Sequence, residues 1–166
     1  MIDEKDLLRR AYQYAAEYAT DPSTQNGALI VNDNGDILAR EANHFPGRVK
    51  ETPERWERPL KYQYVEHAER NVVYWCAAEG ISTKRKIMVV PWFACADCAR
   101  AIIQAKIKLV IGHQSTNDWT PEHWKDSIKV AWEMLREHGV ELKWYEGKIA
   151  DDDSIAIRFN GGIAHP

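Results

Sequence analysis

The chain has 166 residues, 45% hydrophobic and 28% charged, with a formal net charge of -3, which suits one globular domain over residues 1–166 and excludes a disordered segment as the default. Its dispersed Lys and Arg argue against a protein that grips a nucleic-acid backbone. No apolar run approaches the roughly 18 residues that span a bilayer, and Met1-Ile2-Asp3-Glu4 is too acidic for a secretory leader, so the expectation is a cytoplasmic protein with no membrane partner.

Asp3 is placed to cap a helix from about Glu4, in which Leu7, Leu8, Ala11, Tyr14, Ala15 and Tyr18 recur at the spacing of one buried face. Ala28 to Val31 and Ile37 to Ala42, joined by Asn32-Asp33-Asn34-Gly35, read as a β-hairpin. Asn43 to Leu60 is too long for a turn and rich in Pro, Arg, Glu and Gly, and loops of that length are commonly functional. A helix is expected from about Tyr64 to Ala78, then a buried strand over Lys86 to Val90. A helix from Cys95 to about Lys106 and a strand over Leu109 to Ile111 repeat the strand-helix-strand pattern of a parallel crossover. Pro121 opens a helix that runs to His138 and closes at Gly139, and Glu141 to Tyr145 is the last main strand. Ile155 to Phe159 reads as an added edge strand and Asn160 to Pro166 as a poorly ordered tail. Five strands and four helices thus make an α/β chain with a mixed sheet.

The chemistry concentrates at two helix starts. His67-Ala68-Glu69 opens one and Cys95-Ala96-Asp97-Cys98 the other. Three cysteines are too few for a disulfide framework, and a close pair in a reducing compartment binds metal or does redox chemistry. One imidazole and two thiolates suit Zn2+, and three protein ligands leave a fourth position open for water, the pattern of a catalytic site. Helix N-terminal peptide dipoles favour the thiolate forms of Cys95 and Cys98. A carboxylate at Glu69, two residues from the His, is placed to shuttle protons. The rival reading is a thioredoxin-like redox protein, with Cys95 as nucleophile and Cys98 as resolving thiol, because Pro91-Trp92-Phe93-Ala94 leads from a strand into the Cys pair. Cys76, among Val73, Tyr74, Trp75 and Ala77, reads as an ordinary buried thiol. Trp92 and Phe93, just ahead of the pair, read equally as walls for a flat heterocycle or as core.

The sequence also resembles the deoxycytidylate deaminases of the cytidine deaminase superfamily. Asp21-Pro22-Ser23-Thr24-Gln25-Asn26-Gly27-Ala28 is similar to the family's D-P-N-S-Q-V-G-A, Glu41 to Pro46 stands where the family has G-Y-N-G-x-P, and Lys61 to Asn71 resembles K-Y-P-Y-V-x-H-A-E-x-N. Ala101 to Ile107 resembles the I-I-Q-A-G-I helix end. The resemblance implies a three-layer α/β/α sandwich around a five-stranded mixed sheet. It also implies zinc on His67, Cys95 and Cys98, Glu69 as proton shuttle, and hydrolysis of dCMP to dUMP and ammonia by a homo-oligomer. Substrate contacts are implied at Asn26, Gly27, Asn43, Ala68, Trp92, Phe93 and Ala94. Among them Asn43 matches the sugar-contacting Asn, and the carbonyl of Phe93 or Ala94 is placed to accept from an exocyclic amine. The pattern breaks at Ala94 (Pro in the family), His44 (Gly), Asn26 (small apolar) and Arg70 (apolar), positions that bear on substrate more than on chemistry. Deaminases of other amino-bearing bases, such as guanine, a modified cytosine or tRNA adenosine, are the alternatives within the superfamily. Arg48, Lys50, Arg55, Arg58 and Lys61 offer charge for a phosphate or form a solvated basic loop.

Overall fold

A computed structural model describes residues 2–166. Helix α1 (Glu4–Tyr18) begins where the Asp3 side chain accepts the Asp6 N–H at 2.9 Å, a side-chain cap on an otherwise unpaired donor. Its buried face is Leu7, Leu8, Ala11, Tyr12 and Ala15. Tyr14 and Tyr18, expected inside, instead stack on each other outside the core at 4.4 Å, with Arg40 over the Tyr14 ring. Tyr12 takes the inner position because its hydroxyl finds a buried partner, His113 Nδ1 at 2.6 Å.

Strands β1 (Gly27–Val31) and β2 (Ile37–Ala42) pair antiparallel, and β1 pairs antiparallel on its other side with β3 (Ile87–Val89). Strands β4 (Leu109–His113) and β5 (Glu141–Tyr145) continue in parallel, giving the order β2-β1-β3-β4-β5. Successive side chains of a strand face opposite ways. Leu29, Val31, Ile87, Val89 and Ile111 therefore pack with α1, while Ala28, Ile30, Met88, Val90 and Val110 pack on the other face. That second face is covered by α3 (Ala68–Ala78), α4 (Ala96–Gln104) and α6 (Glu122–His138). The result is the expected three-layer α/β/α sandwich on a five-stranded mixed sheet. Cys76 lies in this core with no exposure.

Several boundaries differ from the sequence reading. The helix expected over Tyr64 to Ala78 is two elements: a single turn, α2 (Lys61–Tyr64), and α3, separated by extended backbone at Val65 and His67. A further short helix, α5 (Gln114–Asp118), follows β4. Ile157–Phe159 does not join the main sheet. It forms β6 of a separate two-stranded sheet with β7 (Gly162–Ala164), so the segment expected to be a loose tail is ordered. It is tied down by Gly161 N–H to Ser23 O (2.9 Å), Ala150 N–H to Pro166 O (3.1 Å) and Asn160 N–H to Thr24 Oγ1 (3.1 Å). Buried Ile155, Ile157 and Phe159 supply the apolar side of that anchorage.

Candidate functional site

His67 and Cys95 each occupy the residue just before a helix, in extended conformation, rather than its first turn. Neither caps its own helix. The α3 start is held by Asn43, whose Oδ1 accepts the Ala68 N–H at 2.9 Å, and the α4 start by Ser127, whose Oγ accepts the Ala96 N–H at 3.0 Å. Both caps come from distant segments, β2's end and α6, and satisfy donors that a helix N-terminus leaves open.

His67 Nδ1 lies 3.6 Å from Cys95 Sγ and 3.6 Å from Cys98 Sγ, and the two sulfurs are 3.6 Å apart. A tetrahedral zinc with metal–sulfur bonds of about 2.3 Å and a metal–nitrogen bond of about 2.1 Å sets its ligand atoms roughly 3.5–3.8 Å apart. The triangle therefore fits three corners of such a tetrahedron. Among the described residues it is the one cluster of three or more potential ligands of this kind. Without metal, the bond from Cys98 holds the Cys95 thiol down to about 3 against the pull of burial, while burial holds Cys98 well above the usual thiol range. The pair thus keeps one proton, which a metal ion displaces on binding. For a redox reading the geometry is poor: both sulfurs belong to buried residues and share the imidazole.

Glu69, in the first turn of α3, is only 2% exposed, and its Oε2 has no hydrogen-bond partner. Burial pushes its carboxyl up, opposed by nearby His67. An unpaired buried carboxylate oxygen is costly, and here it lines the cleft that holds His67 and Cys95. Arg70, next along, donates to Cys98 Sγ at 3.3 Å and reaches Cys95 Sγ at 4.0 Å while pairing with Glu66. A guanidinium against the thiolates offsets part of their charge.

The cleft encloses about 500 Å³ including its open mouth. Of the expected contacts, Asn26, Asn43, Trp92 and Phe93 line it. Asn26 is clipped to the Trp92 backbone by both amide atoms, each at 3.2 Å, and Asn43 also donates to Thr24 O at 3.2 Å. Phe93 is mostly core, packed on Trp132 and Trp144. Gly27, Ala68 and Ala94 are buried and do not line the cleft. Gly27 serves packing instead, since a Cβ there would stand 2.4 Å from Ala11 O.

Sequence reasoning passed over Tyr62, Trp124 and Ile128, which also line the cleft. Of the basic loop residues, Arg58 and Lys61 reach it. Lys61 is neutralised in place by Asp21 at 2.7 and 2.8 Å, and Arg58 bonds Ser23 Oγ at 3.2 Å. Arg48, Lys50 and Arg55 do not line it, and Arg55 lies over the Tyr64 ring.

A zinc-type His-Cys-Cys centre with a buried carboxylate beside it, on a three-layer α/β/α sandwich, defines a metal-dependent hydrolase. Residues 1–114 match the model of the cytidine and deoxycytidylate deaminase zinc-binding region. The chain is 33% identical over 141 residues to the "Uncharacterized deaminase in luxG 3'region" of Aliivibrio fischeri, covering 82% of this chain and 91% of that one. It is 36% identical over 103 residues to human deoxycytidylate deaminase, covering 58% of this chain but only 57% of that relative. Among solved structures, dCMP deaminase from the cyanophage S-TIM5, in complex with dCMP and dUMP, shares the fold with a TM-score of 0.63 at 21% identity, covering 86% and 96% of the two chains. The protein NE0047 in complex with 2,6-diaminopurine does so with a TM-score of 0.54 at 12% identity, covering 87% and 75%. The chain belongs to the cytidine and deoxycytidylate deaminase family, and it is a zinc protein of that family.

Proposed function

We propose that this protein removes the exocyclic amine of a cytosine nucleotide, dCMP in the first place, by the balanced reaction dCMP plus water to dUMP plus ammonia. The observation that carries the proposal is the 3.6 Å triangle of His67 Nδ1, Cys95 Sγ and Cys98 Sγ, whose His67 and Cys95 line the same cleft as Glu69 with its unpartnered Oε2. In this reading His67, Cys95 and Cys98 hold the zinc, which when bound lowers the cost of deprotonating the attacking water and so supplies the nucleophile. Glu69 takes the proton from that water, delivers one to ring N3, and later passes one to the departing amine. Asn43, Asn26 and Trp92 shape the space for base and sugar. Trp92 supplies an aromatic wall, and its backbone position is set by Asn26. Of the two carbonyls ahead of Cys95, that of Phe93, which lines the cleft, accepts from the amine. Arg58 is the cation at the cleft without a carboxylate partner among the described residues, which suits it to a phosphate.

The same reading makes the protein a cytoplasmic homo-oligomer. Thiolate ligands persist best in a reducing compartment, and the outer face of α3 exposes Tyr74 and Trp75, 53% and 48%, where a second copy has apolar surface to cover. The test is ammonia release from dCMP by zinc-loaded protein, run beside deoxycytidine, cytidine monophosphate and guanine, with Glu69→Gln as the blank. Turnover of dCMP above the other three supports the reading. Zinc-loaded protein that releases ammonia from guanine and not from dCMP overturns it.

A further inference from the structure

The architecture does not decide how large a base the cleft takes, since one solved structure of this fold holds dCMP and another 2,6-diaminopurine. We propose that Trp124 is a specificity-determining residue that restricts the cleft to a single-ring base; this rests on the deaminase reading above and extends it.

Trp124 is the third residue of α6 and lies beyond the 1–114 segment that matches the family model. Its ring meets three others edge to face: His67 at 5.8 Å and 65°, Tyr62 at 5.9 Å and 82°, and Trp92 at 6.0 Å and 90°. Those partners come from three different segments: the lead-in to α3, α2 and the loop after β3. The indole cannot swing aside without breaking all three contacts. Its backbone is held as well, because Trp92 Nε1–H donates to Thr120 Oγ1 at 3.0 Å and Trp124 N–H to Pro121 O at 3.0 Å, fixing the start of α6 against Trp92.

The polar lining of the cleft is equally committed. Asn26 has both amide atoms on the Trp92 backbone, and Asn43 bridges Ala68 N–H and Thr24 O. Neither side chain is free to retreat for a larger ligand. Trp124 lines the cleft and meets the ring of His67 at the metal triangle, so in this proposal a base brought to the triangle meets the indole where a purine would carry its second ring. Selection by a preformed apolar wall is steric, so trimming the wall relaxes it.

The experiment uses full-length zinc-loaded protein in a Glu69→Gln background, so that binding is read without turnover. Calorimetric titration with dCMP and with dGMP is compared for Trp124, Trp124→Ala and Trp124→Phe, with zinc content and thermal unfolding recorded for each. Trp124→Ala is expected to raise the dGMP-to-dCMP affinity ratio by roughly tenfold or more, the scale on which a few carbons of an apolar pocket discriminate, while Trp124→Phe keeps most of the preference. A ratio unchanged in a folded, zinc-loaded Trp124→Ala sinks the wall and leaves the substrate reading intact. If Trp124→Ala does not fold, an unchanged ratio between Trp124 and Trp124→Leu has the same force. A parent that prefers dGMP overturns both. If the parent binds neither nucleotide, the nucleotide reading fails, and the same titrations with free cytosine and guanine decide the wall.

Discussion

Glu69→Gln is expected to make the protein more stable and far less active at once. The carboxylate is 2% exposed, with one oxygen unpartnered. A buried polar group left without a partner costs about 1–3 kcal/mol, and more when charged. Glutamine keeps the volume and removes the charge, so the metal-free variant is predicted to gain about 1 kcal/mol or more against urea at neutral pH. Turnover moves the other way. A positioned general acid–base group contributes roughly 10²–10⁴-fold, which corresponds to about 3–5 kcal/mol of barrier. Zinc content is unchanged, because the substitution leaves His67, Cys95 and Cys98 intact. The three readouts are the zinc-to-protein ratio, the urea midpoint and ammonia release from dCMP. Activity within about tenfold of the parent would refute the proton-shuttle role, since that lies below the range for such a group. Loss of zinc would show instead that Glu69 holds the metal site together.

The remaining predictions concern the supports of the site. Arg70→Met removes the guanidinium from Cys98 Sγ and Cys95 Sγ; it is expected to weaken zinc retention in a chelator competition by roughly tenfold, the worth of one charge-assisted hydrogen bond, and equal retention would show that Arg70 serves only Glu66. Lys61→Met strands Asp21, whose side chain is 4% exposed. Breaking a buried pair this way costs about 3–5 kcal/mol, and a loss below about 1 kcal/mol, the range of surface pairs, would mean that the pair is effectively solvated. Burial holds the His113 imidazole below its ordinary pKa, with Gly147 O opposing, and its ring is hydrogen-bonded to Tyr12 and Gly147. The unfolded chain then binds a proton more readily than the folded one, so this contribution is fully present above about pH 6.5 and is lost as pH falls through the folded value. Urea midpoints of zinc-loaded protein are predicted to drop across that window, with a shallower slope in His113→Gln. Equal slopes would assign the acid sensitivity to other groups.

The local codes in the sequence were sufficient for the frame and for pointing to the residues that cluster as His67, Cys95 and Cys98. Asp3, the apolar spacing of α1, the glycine of the hairpin turn and Gly139, in left-handed conformation at the end of α6 with φ of 86°, each act within one turn of chain. The H-x-E and C-x-x-C spacings work the same way, because each places its pair around one helix start. What the sequence concealed is long-range. Tyr12 rather than Tyr14 faces inward because His113, far along the chain, offers its hydroxyl a partner. The end segment is ordered by bonds to Ser23 and Thr24. Trp124 and Ile128 reach the cleft only because α6 folds back over α4, and one tryptophan among seven carries no local mark of that placement.

The metal triangle itself depends on the same long-range order. His67 and Cys95 sit just outside their helices, so neither helix alone fixes them. Asn43 fixes the first start and Ser127 the second, one from the end of β2 and one from α6. The sheet sets where β2 ends, and α6 packs against α4 from beyond the family-matched segment. Three ligand atoms at 3.6 Å spacings are therefore a consequence of tertiary structure as much as of motif. A short peptide carrying either motif lacks the cap that holds its ligand in place. The zinc site and the fold should accordingly form together, with metal binding contributing to the stability of the α3–α4 layer.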